Sequence, residues 1–245
     1  MKKPVYLVYL ILVIASFGCK SSTGPQSQTY TSAPTVVGAG TATTWITMNG
    51  SGNISSVGVT LTNSALTSLG NSDSMYELAM PSGVSTQFKS IALDYATHDA
   101  WPYNHPHIDP HFFLYNMAQR MGIMDGKDTM PPMMMTMPPG YATDSMSEMM
   151  MGVHWIDMSG PEYQPGHPFT STFVYGFTMG SMDFMELMCD KASLDGQKNI
   201  SGAVKRPTMM SGMSGMPMPL FPATYKITYD ASAKTTTIEL DGFDM

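Results

Sequence analysis

Two cysteines, little charge and no long apolar run set the first limits on this chain. Its 245 residues include only Cys19 and Cys189 as cysteines. If Cys19 is committed elsewhere, no internal disulfide can staple the fold. Charged residues make up 13% of the chain and carry a net −7, which is low and acidic for a soluble domain. An acidic chain excludes nucleic acid as a natural partner, because phosphate backbones reward basic surfaces. The longest apolar stretch, Pro4–Phe17, has fourteen residues, short of the roughly 20 a membrane-spanning helix needs. Also missing are a Gly-rich phosphate loop, a Gly-x-Ser-x-Gly elbow and a Cys–His nucleophile pattern.

What stands at the N-terminus has a different use. Met1-Lys2-Lys3 is a short basic region, Pro4–Phe17 has the length of a signal-peptide core, and Ser16-Phe17-Gly18-Cys19 follows. A small residue immediately before a cysteine is what lipoprotein signal peptidase requires. Residues 1–18 are therefore expected to be removed, and Cys19 to carry the lipid that anchors the chain to a membrane. The polar segment 19–40, rich in Ser, Thr and Pro, is expected to be a flexible tether. Residue 20 is Lys rather than Asp, so the common inner-membrane retention signal is absent and an outer-membrane lipoprotein is expected. Loss of Lys2 and Lys3 leaves ten basic against nineteen acidic residues, a net charge of −9. Cys189, left alone, is expected to be a small buried hydrophobe.

The remainder, 41–245, reads as short strands between Gly, Ser, Asn and Pro turns. Trp45–Met48, Val57–Leu61, Tyr76–Met80, Phe88–Asp94, His111–Leu114, Gly152–Ile156, Thr170–Tyr175 and Met182–Met188 are strand candidates. Thr224–Tyr229 and Thr235–Leu240 form the clearest hairpin, and Asn63–Leu69 suits a short helix. Three prolines between His98 and Pro110 make that stretch loop or edge rather than helix. The expectation is a mainly β, single-domain antiparallel sandwich or barrel with long irregular Met-rich loops at about 125–151 and 198–219.

All six histidines fall between His98 and His167. His107, Asp109 and His111 stand at i, i+2 and i+4. In an extended segment they share one face, with neighbours about 7 Å apart. Two imidazoles and a carboxylate are ligand types for zinc, copper, iron or manganese. His154, in a strand candidate, and Glu186, among apolar neighbours that would make an unpaired carboxylate costly, are further candidates. The competing reading is a hydrogen-bonded core network.

These segments resemble a secreted-protein family without an assigned activity, whose type member is a sigma-E-controlled protein of a thermophilic bacterium. Its marks are a Pro-His-Phe-Asp-x-His-Phe-Tyr segment, a Gly-x-His-Trp strand and a Tyr-Gly…Phe-x-Glu-Pro-Met run. This chain has His107–Phe113 (HIDPHFF), Gly152–Trp155 (GVHW) and Val174–Met188 (VYGFTMGSMDFMELM). The resemblance runs from about Trp45 to Leu194. It implies that His107, Asp109, His111, His154 and Glu186 occupy the family's polar positions, with His98 matching a further histidine. Ile108, Phe113 and Leu187 depart from the pattern without removing a ligand. The resemblance implies the shape of a site, not a reaction.

Methionine is the excess: 27 residues, clustered in Met130–Met151, Met179–Met188 and Met209–Met218. Thioethers are soft, uncharged ligands suited to Cu(I). Met210, Met213, Met216 and Met218, spaced through Gly, Ser and Pro, are the candidate soft-metal loop. Core filling accounts for Met182, Met185 and Met188.

Together these readings predict a cell-envelope lipoprotein that binds a transition metal, copper or zinc first, with Met loops handling copper. A binding protein is expected ahead of an enzyme. The alternatives are a metal-dependent enzyme at the same site and a structural or adhesion lipoprotein without metal. Self-association into a homo-oligomer stays open.

Overall fold

The computed structural model describes residues 26–213 and 215–243. The expected signal peptide and Cys19 lie outside the described residues. Four strands come first: β1 (Gln28–Thr31), β2 (Thr35–Val37), β3 (Gly40–Met48) and β4 (Ile54–Thr62). A one-turn helix, α1 (Asn63–Thr67), leads to β5 (Ser74–Leu78), β6 (Ser90–Ala96) and β7 (His107–Phe113). After α2 (Met117–Arg120) come the short strands β8 (Gly126–Lys127), β9 (Met135–Thr136), β10 (Tyr141–Ala142) and β11 (Met146–Glu148). Then follow β12 (Gly152–Asp157), β13 (Ser171–Thr178), β14 (Ser181–Asp190), α3 (Lys191–Asp195), β15 (Ile200–Ala203), β16 (Thr208–Met209), β17 (Thr224–Asp230) and β18 (Thr235–Asp241).

These strands build two main antiparallel sheets, so the expected β class holds. One runs β1-β3-β4-β18-β17-β15, with β2 also on β3. The other, curled into a half-barrel, runs β5-β6-β7-β14-β13-β12-β11-β8, with β10 also on β12. The sheets close on a shared core of alternate residues, the packing rule for a sandwich. Val57, Leu61, Ile238 and Leu240 come from the first sheet, and Ile91, Leu93, Ile108, Phe112, Met185 and Leu187 from the second. Cys189 is fully buried in this core, its Sγ donating to the Leu187 carbonyl at 3.3 Å.

The second sheet is also covered within its curl. Tyr103 and Phe169 from the loops pack there on Ala92, Phe113, Val174, Phe184 and Met188. This explains β7, in which every residue is buried. Its burial does not alternate, but its chemistry does: Ile108 and Phe112 face the sandwich core, whereas His107, Asp109, His111 and Phe113 face the curl.

Three expectations need correction. Part of the 19–40 segment is not a tether, because β1 pairs with β3 from Gln28↔Met48 to Thr31↔Trp45 and β2 pairs with β3 as well. Threonine and tyrosine suit an edge strand whose side chains meet water, so polarity there marked an edge. The stretch through Pro110 is not a sheet edge, because β7 lies between β6 and β14. Pairing with β6 continues through Leu93↔Pro110, while the β14 ladder skips from His111↔Glu186 to Ile108↔Cys189. The absent proline N–H is thus accommodated by a gap on one side. Finally, the Met-rich segments 125–151 and 198–219 are not irregular throughout: they carry β8–β11 and β15–β16, and β9 pairs with β16.

The β13–β14 connection is tighter than the Gly176–Ser181 turn expected. It is a two-residue turn at Met179 and Gly180, both at positive φ, as such hairpins require. The register then shifts between Gly176 and Phe177. Asp183 occupies the irregularity, with its carboxylate accepting from the Thr178 hydroxyl. Beyond it, Phe184, Glu186 and Met188 point into the curl.

Candidate metal centre

Three strands supply the centre. β7 contributes His111, and Glu186 is its direct cross-strand partner on β14. His154 comes from β12, paired with Gly176 of the intervening β13. The Glu186 Oε2 lies 3.4 Å from the His111 Nε2 and 3.5 Å from the His154 Nε2. One ligand atom from each residue falls within 4.8 Å of the others, so this group can hold a metal ion.

Gly176 makes the convergence feasible. A Cβ there would stand 2.0 Å from the Phe184 ring. That ring occupies the vacated space with its centroid 4.9 Å from His111 and 5.0 Å from His154. Gly176→Ala should therefore displace Phe184 and tilt both imidazoles. Overpacking of this kind costs about 1–3 kcal/mol, and thermal melts with metal titration should record lower stability together with weaker binding. Intact metal affinity would detach Phe184 from the centre.

The protonation pattern suits a cation. The His111 Nδ1 lies 2.9 Å from the Asp109 carbonyl. A carbonyl only accepts, so Nδ1 carries the proton and Nε2 presents a lone pair toward Glu186, the orientation metal-ligating histidines use. Burial, reinforced by the neighbouring His154, holds His111 down to about 3, and burial holds His154 down to about 4. Both rings are neutral at physiological pH, as ligation needs. Burial pushes Glu186 well above the carboxylate range, with Glu148 and Asp94 adding to the effect. Among the described residues, His111 Nε2, Glu186 Oε2 and Asp109 Oδ1 are buried without a hydrogen-bond partner. Such orphaned atoms are costly unless something binds them.

The other expected ligands sit nearby but apart. His107 donates from Nδ1 to the His105 carbonyl at 2.8 Å, and its Nε2 faces Asp109 Oδ2 at 3.3 Å. His107 and Asp109 are thus a neighbouring pair on the same face, outside the three-residue group. His98 is exposed at the rim, with Nδ1 3.1 Å from the Thr97 hydroxyl. The four methionines of the candidate loop are spread along the surface. Met210 and Met216 are exposed, Met213 is half-buried, and only Met218 of the four reaches a hollow, described below.

Above the centre opens a cavity of about 540 Å³ that Asp94, Asp99, Asp144 and Glu148 help to line, with Trp101, Tyr103 and Tyr163 as its aromatic wall. Sequence reasoning missed Asp94 and Glu148. Burial raises Asp94 to about 6. It sits directly opposite Asp109 across β6 and β7, and a signal existed: Ala92-Asp94-Ala96 alternates with Ile91-Leu93-Tyr95. Glu148 gave no such signal. Its Oε1 approaches the His154 Nδ1 at 3.9 Å from the end of the short strand β11.

Fold and site together define a two-sheet β protein with a buried two-histidine, one-carboxylate centre beneath an acidic cavity. Comparison with family models, curated proteins and solved structures returns no match.

Proposed function

We propose that this chain is a cell-envelope lipoprotein, anchored through lipid on Cys19, whose β domain binds a divalent transition metal through His111, His154 and Glu186. The observation carrying the metal reading is the convergence of Glu186 Oε2 on two imidazole Nε2 atoms, at 3.4 and 3.5 Å. Nitrogen and oxygen donors of this kind favour zinc, with copper as the next choice. The anchor reading is supported by the basic start, the Pro4–Phe17 apolar run and Gly18-Cys19. The motif resemblance supports placing the chain with envelope proteins that share its polar positions. In the copper part of the reading, the Met-rich segments hold Cu(I) at a site separate from the nitrogen–oxygen centre.

A second reading has its own observation. Among the described residues three protein ligands converge, and a cavity of about 540 Å³ opens above them. Catalytic zinc sites leave a coordination position open in this way. In that reading Asp109 and Asp94 handle protons beside the metal, and the aromatic wall holds the substrate.

Purified mature protein, stripped and titrated with zinc, should bind one equivalent, and His154→Ala should lose it. Absence of stoichiometric binding in the wild type, or binding indifferent to His154, would overturn the metal reading. Cys19→Ser should release the protein from the membrane fraction. If it stays membrane-bound, the anchor reading fails.

A further inference from the structure

Three methionine-bearing segments, far apart in sequence, meet at one place. The first, Met130–Met137, is fastened to the β13–β14 turn. Met133 N–H donates to the Gly180 carbonyl at 2.7 Å, and the Asp128 carboxylate accepts from Met179 N–H at 2.6 Å. Gly180 has φ of +74°, and a Cβ there would come within 2.7 Å of the Pro131 carbonyl oxygen. Only glycine lets the segment lie so close. The third segment joins through β16, which pairs Met209↔Met135 and Thr208↔Thr136. Met210 N–H then donates to the Met134 carbonyl at 2.9 Å.

The result is a hollow of about 180 Å³ lined by Met133, Met134, Met135, Met182 and Met218, with Ser181, Gly180 and two prolines completing it. It shares no residue with the acidic cavity. Among the described residues, no carboxylate, imidazole or other charged side chain lines it. Packing accounts for Met135 and Met182, which are buried in the sandwich core. Packing does not account for Met133, which is 46% exposed yet lines the same hollow. Met134 adds a left-handed φ of +69°, a conformation bulky side chains avoid.

Thioethers are soft and neutral. They select Cu(I)-like ions and offer little to hard divalent cations. With no counter-charge at the wall, a single positive charge is far less costly to hold than a double one. The geometry points to this hollow as a binding site for one soft monovalent cation, Cu(I) or Ag(I), held by thioethers drawn from these five methionines. The inference rests on the copper part of the proposed function and moves its site away from the linear Met210–Met218 motif.

Mature protein would be titrated with Ag(I), and with Cu(I) under anaerobic competition with a chelator. Leucine replaces methionine at nearly constant volume, which cores tolerate. Met133→Leu/Met134→Leu/Met218→Leu should lower affinity by about 10–100-fold, the scale on which metal sites respond to altered surroundings. Met210→Leu/Met213→Leu/Met216→Leu should leave affinity unchanged. Should the triple hollow variant fail to fold, Met133→Leu alone, at an exposed position, replaces it and should still weaken binding. Unchanged affinity in a folded hollow variant, or loss confined to the Met210 set, would overturn the inference. Zinc binding by the hollow variants separates its failure from that of the His111–His154–Glu186 centre.

Discussion

Glu186→Gln should melt higher than the wild-type chain in chelator and lower than it in excess zinc. The reversal follows from what surrounds the carboxyl. Glu186 is 2% exposed, and its Oε2 faces the Nε2 atoms of two neutral imidazoles, of which that of His111 carries a lone pair. Without a cation, burial and the nearby Glu148 and Asp94 all work against its charged form. Glutamine keeps the shape, is neutral without having to take up a proton, and offers an amide N–H to the His111 lone pair. Relief of an unsatisfied buried polar group is worth about 1–3 kcal/mol, and each kcal/mol moves the midpoint of a domain this size by roughly 2–4 °C. With zinc the balance inverts. Ligand at a thousand times its Kd stabilises the folded state by about 4 kcal/mol, and the variant forfeits most of it because a neutral amide is a poor ligand. Calorimetric melts of both proteins, with and without zinc, give the four midpoints. A variant that melts below wild type in chelator would show that Glu186 is satisfied by the protein itself.

The same geometry explains what could be read in advance. The terminal hairpin was legible because β17 and β18 are half-buried and β18 alternates residue by residue. The i, i+2, i+4 spacing correctly put His107, Asp109 and His111 on one face. It could not say which histidine would join the centre. Neighbours on one strand face stand about 7 Å apart, so selection falls to the strand alongside. There the register sets Glu186 opposite His111 and Asp190 opposite His107. Register is a long-range property, invisible in local spacing. His154 depends further on a glycine two strands away from His111, which no pattern near residue 154 announces. The methionine hollow was hidden for a related reason. Its members come from the 130s, from β14 and from Met218, and only the β9–β16 pairing and the Gly180 turn bring them together.

Arg120 was missed altogether, yet its replacement carries the second large expected effect. Although it ends a one-turn helix, its side chain is fully buried. The guanidinium carbon lies 3.7 Å from the Phe113 ring centroid, and Nη1 donates to Glu77 Oε2 at 2.8 Å. Nε reaches the Met150 carbonyl at 3.3 Å. Phe113 in turn stacks on His111, with centroids 5.4 Å apart and planes 11° from parallel. Arginine, aromatic ring and imidazole thus form one pile that braces the metal-facing ring from behind. Arg120→Leu removes the cation, the planar contact and the donors to Glu77 and Met150 together. Hydrogen bonds from a charged donor are worth about 1.5–3 kcal/mol and a desolvated cation–π contact about 2 kcal/mol, so the midpoint should fall by roughly 10 °C. Arg120→Lys should recover part of this through charge, but not the planar stacking a guanidinium provides. Glu77→Gln should cost less, because the glutamine carbonyl oxygen can still accept from Nη1 and, at a position over a third exposed, water screens the lost charge. The order Leu, then Lys, then Gln in denaturant midpoints is the measurement. A Leu variant as stable as wild type would mean the pile is held by the sheet alone.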